Sequence, residues 1–180
     1  MEKNNKRVLK VGQFHYVSEK QKLKSITNIG KNNGFSLDSE FYLNNQFSLP
    51  RRGTVKSSGY DLYSPFEFVL KPGETIFIPL GINVEIENGR WLMCIPRSGV
   101  GFKYRIRLDN TVGNIDADYY MNENNEGEIC LKITNCGTKD YEVKYNDRIL
   151  QAVFVPFGIT YDDEPISEIR TGGFGSTGVK

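Results

Sequence analysis

Apolar and polar residues alternate along this chain with a period of two, and turn signals recur at intervals of about ten residues. Glu67-Phe68-Val69-Leu70, Thr75-Ile76-Phe77-Ile78, Ile82-Asn83-Val84-Glu85-Ile86, Trp91-Leu92-Met93-Cys94-Ile95, Tyr104-Arg105-Ile106-Arg107-Leu108 and Ile129-Cys130-Leu131-Lys132-Ile133 each place alternate side chains on one face. That is the pattern of a strand with one face buried; a helix repeats every 3.6 residues. Pro72-Gly73, Asn88-Gly89, Cys136-Gly137 and Asn146-Asp147 fall between the runs and supply turns. The rhythm predicts an all-β sandwich, jelly roll or barrel. Helix is confined to Glu19–Ile29, which reads as either one short helix or a mobile loop.

Two segments depart from the pattern. Arg7 to Val17 fits an edge strand, but Lys20 to Asn45 is rich in Lys, Asn and Ser, so residues 17–46 read as a surface insertion. Residues 170–180 hold four glycines, and Phe174 and Val179 are almost their sole apolar side chains. A segment with so little to bury is expected to stay flexible until something binds. The 180 residues suit a single domain that needs no disulfide. With 23 basic and 22 acidic residues there is no global field to attract nucleic acid or an anionic membrane, so any anion must be held locally. Cys94, Cys130 and Cys136 match neither a zinc ribbon nor a redox pair, and no run reaches the roughly 20 apolar residues of a membrane span. The polar Met1–Lys6 start lacks the apolar core of a signal peptide. A cytoplasmic protein with reduced thiols is expected.

Five stretches carry more chemistry than a turn requires. Ser58-Gly59-Tyr60-Asp61-Leu62-Tyr63-Ser64 sets an acid in mid-strand, and Pro96-Arg97-Ser98-Gly99 presents a guanidinium, a hydroxyl and an amide in what reads as a fixed turn. Those are donors for a phosphate, although a solvent-facing Asp and an ordinary surface turn explain them better when each stands alone. Asn110 to Tyr119 reads as a β-hairpin with Asp116 and Asp118 on one face, able to bind metal, orient water or keep an edge soluble. Asp147-Arg148-Ile149-Leu150-Gln151 mixes polar ends into a core-like strand, where alternation pairs Arg148 with Leu150 and Ile149 with Gln151. A structural Arg with a carboxylate partner accounts for it as well. Arg170-Thr171-Gly172-Gly173-Phe174-Gly175-Ser176-Thr177-Gly178 combines close-approach glycines, hydroxyls, a charge and a flat ring, which a mere linker would not need.

In order and spacing these stretches resemble the five motifs of the trimeric dUTPases, over about Leu49 to Gly178. Pro96-Arg97-Ser98-Gly99, Gly113 with Ile115-Asp116-Ala117-Asp118-Tyr119, and Gly173 to Gly178 carry most of the likeness. The resemblance implies a jelly-roll-like distorted β-barrel with at most one short helix. It implies hydrolysis of dUTP to dUMP and pyrophosphate by a homotrimer. Asn110, Gly113 and Ile115 would line the uracil pocket, Tyr119 would pack under the deoxyribose, and Phe174 would stack on the base. Asp116 would activate the water that attacks the α-phosphorus, with Gln151 positioning that water or the phosphate. Arg97, Ser98, Gly99 and Gln151 would hold the inner phosphates; Arg170, Gly175, Ser176 and Thr177 the outer ones. Mg²⁺ would ride on the triphosphate with no direct protein ligand, and Asp61 would pair with Arg148 and face the metal's waters. Each site would draw on three chains.

Two departures from the family pattern stand out. Tyr120 to Glu126 lengthens the arm between Tyr119 and Gly127-Glu128, and Arg170 lies four positions before Phe174, one fewer than the common spacing. Two rivals share the fold: a dCTP deaminase, whose catalytic Glu sits in a differently worded hairpin, and a regulatory protein that uses nucleotide occupancy as a signal to a partner.

Overall fold

A computed structural model describes residues 8–45 and 48–165. In chain order the strands and helices are β1 (Gly12–Tyr16), α1 (Glu19–Asn33), α2 (Ser39–Asn44), β2 (Arg51–Arg52), β3 (Tyr60–Tyr63), β4 (Phe68–Leu70), β5 (Thr75–Pro79) and β6 (Ile82–Ile86). They continue as β7 (Arg90–Pro96), α3 (Ser98–Tyr104), β8 (Ile106–Leu108), β9 (Gly113–Ile115), a 3-10 turn (Ala117–Tyr119), β10 (Cys130–Asn135), β11 (Tyr141–Val143) and β12 (Arg148–Pro156). The largest sheet has the order β2-β3-β12-β7-β9, beside β5-β10-β8 and the pairs β1-β6 and β11-β4. The all-β reading holds. Its allowance of one short helix is too small, because α1, α2 and α3 are all helical.

Period-two burial builds the core. In β7, Leu92 and Cys94 are fully buried while Met93 and Ile95 are half-buried; in β10, Leu131 and Ile133 face in and Lys132 faces out. Each such Leu or Ile contributes about 1.5–3 kcal/mol by leaving water. Asn135 follows the same inward phase, and its Nδ2 donates to the carbonyls of Leu70 (2.7 Å) and Lys139 (2.9 Å), which satisfies it. Alternation fails in β12, where a register irregularity between Arg148 and Leu150 buries Ile149 and Leu150 together. Arg148 and Leu150 therefore do not form the expected same-face pair.

Helix α1 starts at Ser18, whose side chain accepts from the Gln21 N–H, and stops at Gly34, which takes φ 74° as a left-handed cap. Its buried positions, Gln21, Lys22, Ser25 and Ile29, recur at helical spacing but are mostly polar. Gln21 and Ser25 are satisfied by Glu128, whose carboxylate accepts from Gln21 Nε2 (2.8 Å), Ser25 Oγ (2.5 Å) and Gly81 N–H (2.9 Å). Asn33 completes the seat: its Nδ2 donates to the Phe77 carbonyl and its Oδ1 accepts from the Phe77 N–H, both at 2.8 Å. Among the described residues no helix is long and apolar enough to cross a membrane.

Candidate active site

Strands β3, β7 and β12 lie side by side, so the first, second and fourth sequence stretches converge. Gln151 is in register with Asp61 on one side and Ile95 on the other. Asp61 is largely buried, and its carboxylate binds Arg97 Nε at 2.7 Å and Arg148 Nη1 at 3.4 Å. Arg97 also donates through Nη1 to the Arg148 carbonyl (3.4 Å). Two guanidiniums braced on one shielded carboxylate leave local positive charge with fixed donors, which suits a polyanion. The expected Asp61–Arg148 pair is present, and Arg97 is the closer partner. Gln151 Nε2 donates to the Pro96 carbonyl at 3.3 Å. A Cβ added to Gly59 would lie 2.6 Å from Gln151 Oε1, so Gly59 is the space in which this side chain sits. Composition cues single out charged groups and miss a glycine of this kind.

Ser98 and Gly99 open α3, with Arg97 as N-cap, so this stretch is a helix start rather than the fixed turn predicted. Both are exposed, and a Cβ at Gly99 would meet nothing within 4 Å.

The third stretch is not a two-armed hairpin. Strand β8 pairs with β10, whereas β9 pairs with β7, and the turn between them passes through Thr111 at φ 68°. Asp116 then caps the 3-10 turn that contains Asp118, which breaks the extended geometry that would put both acids on one face. Asn114 Nδ2 donates to Asp116 Oδ1 (3.1 Å), and these two line a cleft of about 300 Å³ with Trp91 and Phe157. Asn114, Trp91 and Phe157 were missed; the Asn-x-Asp spacing was the available signal for the first. Asn110 and Gly113 line a second cavity, of about 310 Å³. Gly113 packs so closely on β7 that an added Cβ would lie 3.0 Å from Cys94 Cβ, and burial pushes the Cys94 thiol up to about 12. Ile115 and Tyr119 are buried, and the Tyr119 hydroxyl donates to the Glu128 carbonyl (3.1 Å) and accepts from Asn125 Nδ2 (2.8 Å). The long arm is a knotted turn rather than a strand: Asn122 Nδ2 donates to the Tyr119 carbonyl (2.8 Å) and to Asn125 Oδ1 (2.9 Å). Arg170, Phe174, Gly175, Ser176, Thr177 and the whole 170–180 arm lie outside the described residues.

Asp116 and Gln151 are far apart within one chain. Ile115 is opposite Leu92, which puts Asp116 level with Trp91, four residues along β7 from the Ile95 that faces Gln151. At ~3.3 Å per residue the two are separated by roughly 13 Å along the strand alone.

A pair of guanidiniums braced on one carboxylate in an all-β fold, and a second carboxylate in a separate cleft, are the two features of the site. A model of the dUTPase family matches residues 45–178. The chain is 38% identical over 138 residues to the deoxyuridine 5'-triphosphate nucleotidohydrolase of Lactococcus lactis, covering 76% of this chain and 92% of the relative. The crystal structure of dUTPase from Streptococcus mutans matches with a TM-score of 0.60 at 28% identity, over 82% of this chain and 97% of that one. A mutant dUTPase of phage phi11 of S. aureus, described with a coordinated structural Mg(II) ion, shares the fold at 19% identity and a TM-score of 0.59, over 88% of this chain and 99% of that one. The chain belongs to the dUTPase family.

Proposed function

We propose that this protein is a cytoplasmic, Mg²⁺-dependent dUTP diphosphatase that works as a homotrimer with shared sites, keeping uracil out of DNA and supplying dUMP. The observation that carries the reading is the Asp61 brace: family membership supports the chemistry, and the braced guanidiniums supply the charge a triphosphate needs.

Asp116 holds and deprotonates a water for in-line attack on the α-phosphorus, with Asn114 fixing one of its oxygens. Gln151 positions that water or the α-phosphate. Ser98, the Gly99 amide and Arg97 hold the α/β bridge and stabilise charge on the leaving pyrophosphate. Asn110 and Gly113 receive uracil, with Ile115 behind them and Tyr119 under the sugar. The 170–180 arm brings Phe174 to the base and Arg170, Gly175, Ser176 and Thr177 to the outer phosphates, excluding water.

The residues fit a metal carried by the substrate. Asp61 already serves two arginines, which favours a metal held by the triphosphate itself. Mg²⁺ carried by the triphosphate would offset its charge, and Asp61 is the residue that would face the metal's waters. The roughly 13 Å between Asp116 and Gln151 supports sites built between chains, since reacting groups must close to ~3–3.5 Å.

Pyrophosphate release from each dNTP, with Mg²⁺ and with chelator, tests this reading. Hydrolysis of dUTP alone, lost on chelation, is expected. Inertness toward dUTP with magnesium supplied would overturn it, and ammonia release from dCTP would establish the deaminase instead.

A further inference from the structure

The cavity that holds Asn110 and Gly113 has a wall outside the residues matched by the family model. Its lining includes Asn32 of α1, Phe77 of β5, and Cys130 and Lys132 of β10. The family model's match begins at residue 45, so Asn32 comes from a part of the chain that the model does not match.

Asn32 is held there firmly. Its neighbour Asn33 clamps the Phe77 backbone from both sides, and Phe77 itself lines the cavity. About two and three turns upstream, Ser25 and Gln21 are fixed on Glu128. The N-cap Ser18 donates through its N–H and Oγ to Glu126 (2.9 and 2.6 Å). Asn32 Nδ2 donates to the Asn28 carbonyl (2.8 Å), which holds the amide against the helix. Its position thus follows the body of the barrel rather than the drift of a loop.

The chemistry suits the place. Of the polar side chains in this cavity, Asp109 is committed to Lys132 (3.7 Å) and to the Thr134 hydroxyl (2.5 Å). Asn32 and Asn110 also line it, and a cavity of about 310 Å³ is within the range of small-ligand sites, about 300–1,000 Å³. Uracil presents an imide N–H at N3, where cytosine has a lone pair. An amide oxygen accepts from the first and repels the second.

We propose that α1 forms the second wall of the base cavity and that Asn32 is a specificity-determining residue for the pyrimidine. This rests on the assignment of that cavity to uracil under the proposed function.

The experiment compares the parent enzyme with Asn32→Leu, which keeps the volume and removes the acceptor, and Asn32→Trp, which fills the cavity. Lys20→Ala, on the exposed helix surface, is the control. Both Asn32 variants should raise the KM for dUTP by about tenfold and leave kcat within about twofold, because base binding is lost without touching the phosphate chemistry. Asn32→Leu should also narrow the dUTP-over-dCTP preference by about the same factor. Calorimetric titration with dUMP gives a readout free of turnover and should show the same weakening. Thermal melting checks α1; if Asn32→Trp melts early, Asn32→Leu alone decides. A parent that hydrolyses dUTP while both variants keep its KM, preference and dUMP affinity would overturn this inference alone. A parent that binds dUMP and leaves dUTP intact would overturn the hydrolase reading and leave this one standing if the variants weaken dUMP.

Discussion

Asp61 shows how a motif residue can matter without touching substrate. Its carboxylate is shielded from water and spent on two guanidiniums, so its work is to hold Arg97 and Arg148 in place. Asp116 has the opposite character, half-buried in a cleft and held by Asn114. Asp116→Asn removes the base but keeps an acceptor oxygen, so dUTP binding should persist while kcat falls by on the order of 10³-fold, as pre-steady-state binding and turnover assays would show. Gly59 makes a sharper case. Its backbone is open to alanine, but the new Cβ would occupy the space of Gln151 Oε1, the end of a flexible side chain. Gly59→Ala should therefore shift melting by no more than about 1 kcal/mol in stability and lower kcat/KM on the order of a hundredfold, because Gln151 is displaced. Equal losses in both would instead make Gly59 a packing residue. The acids and arginines were legible in the sequence because charge within an alternating strand is conspicuous. Gly59 was not, since a glycine that clears space leaves no mark until the fold brings its neighbour.

Among the elements, the strands were legible and α1 only in part, for one physical reason. Strands announce themselves through apolar alternation, whereas the inner face of α1 is Gln21, Ser25 and Ile29, so its helical period is written mainly in polar residues that find partners only after folding. The 3-10 turn at Ala117–Tyr119 was hidden too, because a short capped turn and an extended strand both tolerate Asp-x-Asp. Glu128 is where α1 meets the barrel. Burial raises its carboxyl pKa above the usual 4.5, against the lowering effect of hydrogen bonds from Ser25, Gln21 and the Gly81 N–H, and nearby Glu126 adds to the rise. A raised folded-state value means that folding favours the protonated acid: its stabilising contribution is full below the ordinary carboxyl range and is lost as pH climbs through the raised value. Glu128→Gln stays neutral and lacks this dependence. Melting curves should show the parent losing ground to Glu128→Gln as pH rises above the ordinary carboxyl range, and parallel curves would mean that Glu128 ionises freely. Glu128→Ala strands the buried donors Gln21 Nε2, Ser25 Oγ and Gly81 N–H and should cost about 2–4 kcal/mol.

At the scale of the whole molecule, the register of β7 separates the two groups proposed to act on one α-phosphate. Asp116 lies level with Trp91 and Gln151 level with Ile95, too far apart to serve one α-phosphate from a single subunit. The proposed trimer removes the difficulty by letting one subunit bring Asp116 to the Gln151 of another, and mixed assembly tests this directly. Asp116→Asn and Gln151→Ala should each be nearly inactive alone. Unfolded together in equal amounts and refolded, they assemble at random. A site is whole when the chain giving Asp116 carries the Gln151 change and the chain giving Gln151 carries the Asp116 change. Each condition is met half the time, so about a quarter of parental activity should return. If both residues came from the same chain, every site would carry one lesion and nothing would return. Light scattering on the mixture must show a trimer in either case, so recovered activity reports which chain supplies which residue rather than whether the subunits associate.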